Sequence, residues 1–193
     1  MKIAAITAAI ILFPILILLI VLSQHGLFAP VKIAEKDTGP YLLVYKKHTG
    51  EYKNVGPVMD ALYYDLKDKH EIETTKGFGI YYDNPRKVDK DKLRSIVGCI
   101  VENKTIEDLS HLTEDYGVKE YPSSKSLVAQ FPYSGKISII IGVFKVYPKL
   151  SAFIEQKKYP QTPIMEIYDQ PNKTIEYIAP VNLQQEVFDN LIE

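Results

Sequence analysis

The 193-residue sequence contains no tryptophan and only one cysteine, Cys99. A single cysteine cannot form an internal disulfide bond, which is typical of a protein that stays in a reducing compartment. The four histidines follow no metal-ligand spacing, and there is no Cys-x-x-Cys pair. A glycine-rich phosphate loop and a Gly-x-Ser-x-Gly elbow are also missing. These absences predict a protein that is not an enzyme and that carries neither a cofactor nor a metal.

The sequence also has no large excess of positive or negative residues. Lysine and arginine total 23, against 24 aspartate and glutamate residues. Nucleic-acid-binding domains usually carry a clear basic surplus. The composition therefore argues against nucleic acid as a partner.

The N-terminus carries a run of apolar residues without a charge. Residues 3–22 are interrupted only by Thr7 and Pro14, and about 20 such residues span the hydrocarbon core of a bilayer. The alternative is a cleaved signal peptide, whose apolar core is usually about 7–15 residues, but no small-x-small cleavage site follows Leu22. Residues 1–24 are therefore predicted to be an uncleaved transmembrane anchor, with Pro14 kinking the helix.

The orientation of this anchor is weakly encoded. Lys2 lies on one side and Lys32 and Lys36 on the other, which slightly favours a cytosolic C-terminal side. Two Asn-x-Thr sequons, at Asn103 and Asn172, would accept sugars if the domain faced the lumen. We expect them to be chance occurrences in a cytosolic domain.

Residues 79–101 predict a strand, a turn, a charged loop and a second strand. Ile80 to Tyr82 has strand composition, and Asp83-Asn84-Pro85 has turn chemistry. A solvated connector over residues 87–92 leads into an apolar strand that carries Cys99, where an inert buried thiol is expected.

The rest of the chain alternates between strand and helix patterns. A helix is predicted over residues 57–70, because Val58, Leu62 and Leu66 recur every four residues, and a short helix over 105–116. Residues 116–121 and 126–131 flank a Pro-Ser-Ser turn and are predicted to pair with each other. Residues 137–146 fit either a buried strand or a helix. Further strands are predicted at residues 41–46, 163–169 and 174–178.

Six short motifs in one order resemble the GyrI-like domain family, which also supplies the effector-binding domain of some bacterial transcription regulators. The motifs are Tyr45-Lys-Lys-His-Thr-Gly-Glu-Tyr52, Tyr81-Tyr-Asp-Asn-Pro85, Val97-Gly98, Phe131-Pro-Tyr133, Tyr147-Pro-Lys-Leu150 and Glu166-Ile-Tyr168. More narrowly, they resemble membrane-anchored members that serve as receptors for selective autophagy of the endoplasmic reticulum (ER).

The resemblance implies an α+β fold. Two strand-helix-strand-strand halves would form one curved antiparallel sheet with two helices on one face and a possible groove on the other, preceded by one transmembrane helix. It favours a helix at residues 137–146, which Pro148 would kink or continue as a second segment. The expected domains are a linker at 25–39, a GyrI-like domain at 40–181 and a short tail at 182–193.

The resemblance also implies a groove for a small apolar or cationic ligand. Glu166 matches the acidic residue at the bottom of that groove, and we expect Tyr168, Tyr45, Tyr81, Tyr82 and Tyr133 to line it. The interpretation that we favour is a glutamate satisfied structurally by tyrosine hydroxyls or backbone, with most of these tyrosines on the sheet surface or in the core. Some bacterial members rely on tryptophan for binding, and this chain has none.

The C-terminus contains Phe188-Asp-Asn-Leu191, which is similar to the motif by which autophagy receptors bind ubiquitin-like proteins of the Atg8 family. Such a peptide adds a strand to its partner and places the aromatic and aliphatic side chains in two pockets. The alternative is an amphipathic helix, because Leu183, Val187 and Leu191 also recur every four residues.

Two functions follow from these observations. The first is a non-enzymatic, single-pass ER membrane protein whose cytosolic GyrI-like domain is an adaptor or receptor in selective autophagy. The second is a membrane-tethered protein that binds or sequesters a small molecule through Glu166 and the tyrosines.

Overall fold

The computed structural model describes the backbone of residues 2–193 and the side chains of residues 10–193. The first nine side chains of the predicted anchor lie outside that part. The helices are α1 (Lys2–Gln24), α2 (Val55–His70), α3 (Lys136–Lys157) and α4 (Gln185–Ile192). The strands are β1 (Ile33–Thr38), β2 (Tyr41–Thr49), β3 (Lys76–Tyr81), β4 (Arg94–Val101), β5 (Gly117–Tyr121), β6 (Ser124–Pro132), β7 (Ile164–Asp169) and β8 (Thr174–Pro180).

The described strands form one antiparallel sheet in the order β1-β6-β8-β7-β3-β4-β2-β5. The halves β2-α2-β3-β4 and β6-α3-β7-β8 have the same element order, and they meet where β3 pairs with β7. This arrangement confirms the two-half α+β architecture. It also places the β3–β7 pair at the centre of the molecule.

The central strands are buried on both faces. All six residues of β7 are buried, and so are the last seven residues of β4. Successive side chains of a strand point to opposite faces, so each face of the sheet needs its own cover. The fold supplies a different set of helices for each face.

Helices α2 and α3 cover one face. Leu62 and Leu66 of α2 pack with Val44 and Cys99, while the inward stripe of α3 packs on β6 and β8. Fully burying a leucine side chain contributes about 1.5–3 kcal/mol. Cys99 is buried as predicted, and desolvation raises the pKa of its thiol.

Helix α4 covers part of the other face. Phe188 and Leu191 are fully buried there, against a cluster that includes Phe78, Ile80 and Met165. The Tyr45 hydroxyl donates to the Leu191 carbonyl at 2.7 Å and the Tyr82 hydroxyl to the Phe188 carbonyl at 2.9 Å. The groove expected on this face is therefore partly filled by the chain's own C-terminus.

Three expectations about connectivity need correction. Residues 25–39 are not simply a linker, because β1 pairs with β6 over six residues and Thr38 bonds Ser126 at 2.8 Å. β5 and β6 do not pair with each other, since β5 pairs with β2 and β6 with β1 and β8. The expected helix at 105–116 is reduced to turns and one short 3-10 segment, Ser110–Leu112.

The ambiguous segment at 137–146 is helical, as the resemblance implies, and α3 continues past Pro148 to Lys157. Among the residues searched, α3 is the one helix that is long and apolar enough to cross a membrane, but one side of it packs on the sheet. Among the same searched residues, Ile10–Gln24 of α1 forms a shorter apolar helix. Its side chains from Ile10 to Val21 are exposed.

The end of α1 is held against α3. The Lys145 ammonium donates to the carbonyls of Gly26, Leu27 and Ala29, which follow the last turn of α1. Gly26 has φ +94°, and a Cβ atom there would lie 2.7 Å from Cζ of Phe131. Only glycine satisfies both conditions, so the chain leaves α1 along a defined path.

Candidate functional site

Glu166 lies on β7 at the seam between the two halves. Its Cα partner on β3 is Gly79, and its side chain points to the face that α2 and α3 cover. The residue is only 2% exposed. A Cβ atom at position 79 would lie 2.8 Å from the Tyr81 hydroxyl, so the glycine leaves room for that ring beside the carboxylate. The site is thus built at the point where the halves meet.

Two tyrosine hydroxyls occupy the carboxylate. Tyr147 of α3 donates to Oε1 at 2.7 Å and Tyr168 donates to Oε2 at 2.7 Å. The hydroxyls of Tyr81 and Tyr168 lie 3.1 Å apart, and because Tyr168 already donates to Glu166, Tyr81 acts as the donor in this contact. The three hydroxyls and the carboxylate form one continuous buried network.

Burial and hydrogen bonding act in opposite directions on Glu166. Desolvation raises the pKa of its carboxyl, and the hydrogen bonds from Tyr147 and Tyr168 lower it, with desolvation the larger effect. The pKa values of Tyr81, Tyr147 and Tyr168 are raised, first by burial and then by the neighbouring carboxylate. The tyrosines therefore remain neutral donors over the physiological pH range.

The arrangement closes the site to a ligand in the described conformation. Tyr133 packs on Tyr168 with ring centroids 5.9 Å apart, and Tyr52 packs on Tyr81 at 4.9 Å. A cavity of about 180 Å³ lies on the opposite face, beside Ile167 and Glu176. Another of about 290 Å³ lies beside Lys46 of β2 and Asp65 of α2. Neither is lined by Glu166.

The predicted groove residues fall on two faces, and Glu166 lies on the face that α2 and α3 cover rather than on the face where the groove is expected. Three of them do cluster with Glu166. Tyr168 bonds its carboxylate, Tyr81 bonds the Tyr168 hydroxyl, and Tyr133 packs on the Tyr168 ring. Tyr45 and Tyr82 do not, because they project to the other face and bond α4. The physical reason is the pairing register, in which Tyr45 lies opposite Gly98 and Gly98 lies opposite Phe78.

Sequence reasoning missed Tyr147, which supplies one of the two hydrogen bonds to Glu166. The signal was present in the helical interpretation of residues 137–146. Continuing that helix by one turn places Tyr147 beside Val146 and Leu150, which face the sheet. Tyr177 was also missed, although its ring packs edge-on against Tyr147 at 5.7 Å.

The Phe188 and Leu191 pair adopts the helical alternative. Both side chains are buried in α4, with relative exposures of 0% and 2%. As an Atg8-binding motif the pair stays a prediction, and it would require α4 to leave the sheet. Among residues 10–193, no group of three or more histidine, cysteine, aspartate or glutamate side chains lies close enough together to hold a metal ion.

The raised pKa of Glu166 predicts a pH-dependent stability. The unfolded chain releases this proton near pH 4.5, before the folded chain does, so the free energy of unfolding should fall as pH rises from there through the folded pKa. Below about pH 4.5 both states are protonated and this contribution is fully present. The slope for one proton is at most about 1.4 kcal/mol per pH unit.

Glu166→Gln should remove this component while preserving side-chain size and one acceptor oxygen. We expect the stability of the two proteins to diverge as pH rises, in favour of the variant. Urea unfolding followed by tyrosine fluorescence measures this directly, because the chain has no tryptophan. Parallel pH profiles for the two proteins would contradict the assignment.

Comparisons with known proteins agree with this fold. The profile of the GyrI-like small molecule binding domain matches residues 31–182. The mouse (Mus musculus) testis-expressed protein 264 homolog is 30% identical over 152 residues, which is 76% of this chain and 47% of that protein. The human (Homo sapiens) testis-expressed protein 264 is 28% identical over 182 residues, 90% of this chain and 56% of that protein. The chain thus spans about half the length of these relatives.

Two solved structures share the fold at low sequence identity. The EcmrR C-terminal domain has a TM-score of 0.54 at 10% identity, covering 80% of this chain and 99% of that one. SAV2435 bound to tetraphenylphosphonium has a TM-score of 0.50 at 12% identity, covering 79% and 94%. Together with the profile match, the two-half sheet and the buried central acid, these similarities show that the chain belongs to the GyrI-like small-molecule-binding domain family.

Proposed function

We propose that this chain is a single-pass protein of the ER membrane whose cytosolic GyrI-like domain acts as a non-enzymatic adaptor or receptor in selective autophagy. The observation that carries the proposal is the exposed apolar surface of α1. Ile10, Leu12 and Phe13 are 62–68% exposed, and soluble monomers rarely display a continuous apolar surface of this extent. A bilayer removes that surface from water. The cellular process comes from the motif resemblance, which includes receptors of this kind.

The placement of the two sequons makes the topology testable. Asn103 and Asn172 are both exposed, so a glycosylating enzyme would reach them if the domain faced the ER lumen. We expect neither asparagine to carry a sugar in the full chain expressed with ER membranes. A shift in gel mobility on glycosidase treatment measures this.

The control is a sequon introduced ahead of Lys2, on the side that the proposal assigns to the lumen. This control also needs a short polar extension, so that the added asparagine lies far enough from the membrane surface for the oligosaccharyltransferase to reach it. Sugar on Asn103 or Asn172 would place the domain in the lumen and refute the proposal.

The adaptor role is supported by the state of the central acid. Glu166 has its two carboxylate oxygens bonded by Tyr147 and Tyr168, so the site satisfies itself without a ligand. An arrangement of this kind stabilises the fold and leaves the outer surfaces to contact partners. It also gives no exposed nucleophile or base at the seam.

An Atg8-family protein is the proposed partner, and Phe188 and Leu191 are its proposed contacts. Both are buried, so binding requires α4 to detach. Two hydroxyls hold the helix without being part of the motif, those of Tyr45 and Tyr82. They are therefore the positions at which detachment can be changed while the motif stays intact.

Replacing both hydroxyls, Tyr45→Phe with Tyr82→Phe, should strengthen binding of a purified Atg8-family protein. Each buried hydrogen bond contributes about 1 kcal/mol, so the pair shifts the detached population by roughly 30-fold. Calorimetric titration measures the gain. Tyr64→Phe is the matched control, because Tyr64 is 59% exposed on α2.

Adding Phe188→Ala and Leu191→Ala to the double variant should abolish binding. Unchanged affinity in the folded double variant would reject this partner.

A second function, binding of a small cationic or aromatic molecule, is favoured by one observation. A buried carboxylate ringed by tyrosines stands at the centre of a family whose profile describes small-molecule binding, and one structural neighbour holds tetraphenylphosphonium. A ligand would have to displace the hydroxyls of Tyr147 and Tyr168, and the carboxylate would attract a cation.

Thermal unfolding with tetraphenylphosphonium tests this second function. If the site binds the cation, the melting temperature should rise with its concentration in the wild type and not in Glu166→Gln, because binding to the folded state raises stability by mass action. Tyr147→Phe should increase the shift, since it removes one internal hydrogen bond to the carboxylate. Equal melting temperatures with and without the cation would argue against this function.

A further inference from the structure

The outward side of α3 changes character halfway along the helix. In the first half Ile137, Ile140, Val143 and Phe144 are exposed, with Ile140 at 58% and Phe144 at 71%. In the second half the exposed residues are mostly polar or small, and they include Lys149, Ser151, Ala152, Glu155 and Gln156. The inward stripe is uniform over the same length and packs on the sheet. Sheet packing therefore does not account for the apolar half.

The apolar half of α3 is the part that holds the end of α1. Lys145, next to Phe144, donates to three carbonyls that follow α1. His25 Nδ1 lies 3.3 Å from the Ser138 hydroxyl, and the Ser134 hydroxyl donates to the Gln24 carbonyl at 3.4 Å. Phe28, 69% exposed, lies within the same turn. Phe28, Ile137, Ile140, Val143 and Phe144 are here called the α3 patch.

The charged side chains of α3 that flank the α3 patch have one sign. No aspartate or glutamate occurs between residues 134 and 154. Lys136 and Lys149 are exposed and lie before and after the apolar residues. Basic side chains next to a membrane surface attract anionic lipids by about 1 kcal/mol each. The patch thus combines exposed apolar side chains with flanking cations, as interfacial helices do.

We propose that the α3 patch lies in the interfacial region of the bilayer that α1 spans. The inference rests on the anchoring role proposed for α1 and adds that the domain sits directly on the lipid surface. The first nine residues of α3, about 13 Å of helix, would contact the lipid. Helices of this type bury their apolar face about 5–10 Å into the boundary between headgroups and acyl chains.

This placement determines which surface of the domain faces the cytosol. α3 and α4 cover opposite faces of the sheet. With the start of α3 on the membrane, α4 lies on the far side of the sheet from the lipid. The C-terminal helix that carries Phe188 and Leu191 is therefore presented to soluble partners.

A tryptophan placed in the patch reports lipid contact without background, because the chain has none. The full chain carrying Phe144→Trp is reconstituted into vesicles of phosphatidylcholine with a minor fraction of phosphatidylserine. Lipids brominated on the upper acyl chain quench an indole that lies in the interface. Ala152→Trp, on the exposed polar half of the same helix, is the matched control. Both positions are exposed, so neither change disturbs the core.

We expect the indole at position 144 to emit at shorter wavelength and to lose emission in brominated vesicles, and the indole at 152 to do neither. Vesicle flotation of the same samples checks the anchor separately. Failure to float overturns the anchoring role and this inference together. Flotation with no quenching at position 144 overturns this inference alone. Blue-shifted emission that brominated lipid leaves unquenched also overturns it and indicates that a protein surface, such as a second copy, covers the patch.

Discussion

The structure depends on one constraint, namely that both faces of its central strands are apolar. β7 has no exposed residue, and Phe78, Ile80, Met165 and Ile167 face one side while Ile164 and Tyr168 face the other. A sheet of this kind is stable only when each face is covered. α2 and α3 cover the face of Ile164 and Tyr168, and the C-terminal residues cover the face of Phe78 and Met165 as α4. The burial of Phe188 and Leu191 follows from that requirement rather than from helix propensity.

The same constraint explains the condition of Glu166. A carboxylate between two packed helices and a sheet has lost its water, and an unpaired charge there would cost several kcal/mol. Tyr147 and Tyr168 supply the missing hydrogen bonds, and Tyr81 completes the network. The carboxylate is therefore bonded by hydroxyls of this chain itself.

The junction between α1 and the domain fixes the position of the end of α1 relative to α3. Lys145 bonds the three carbonyls beyond α1, and Gly26 leaves no space for a side chain against Phe131. A helix joined through a long flexible linker would leave the domain free to rotate relative to it. Here β1 begins within ten residues of α1 and is already part of the sheet. The exposed apolar start of α3 therefore stays close to the end of α1.

Much of the local structure could be predicted from residue patterns. The four-residue spacing of Leu62 and Leu66 marked α2, and the turn at Asp83-Asn84-Pro85 separated β3 from β4. The α3 segment was ambiguous, because a run of isoleucines fits a buried strand and a helix equally well. Its assignment needed the family resemblance, and the helix then explained how Tyr147 reaches Glu166. The grouping of Tyr45 and Tyr82 with Glu166 failed, because composition does not say which face of a sheet a residue occupies.

By itself the sequence determined the apolar N-terminal run, most strand and helix positions and the family, because these depend on side chains within a few residues of one another. The tertiary structure alone decided that residues 33–38 join the sheet, that β5 and β6 lie at separate places in it, and that the C-terminus closes its second face. These outcomes depend on contacts such as Tyr45 with Leu191 and Thr38 with Ser126, between residues far apart in the chain. Such contacts form only when the whole sheet has assembled, because the register of the central strands sets which side chains share a face.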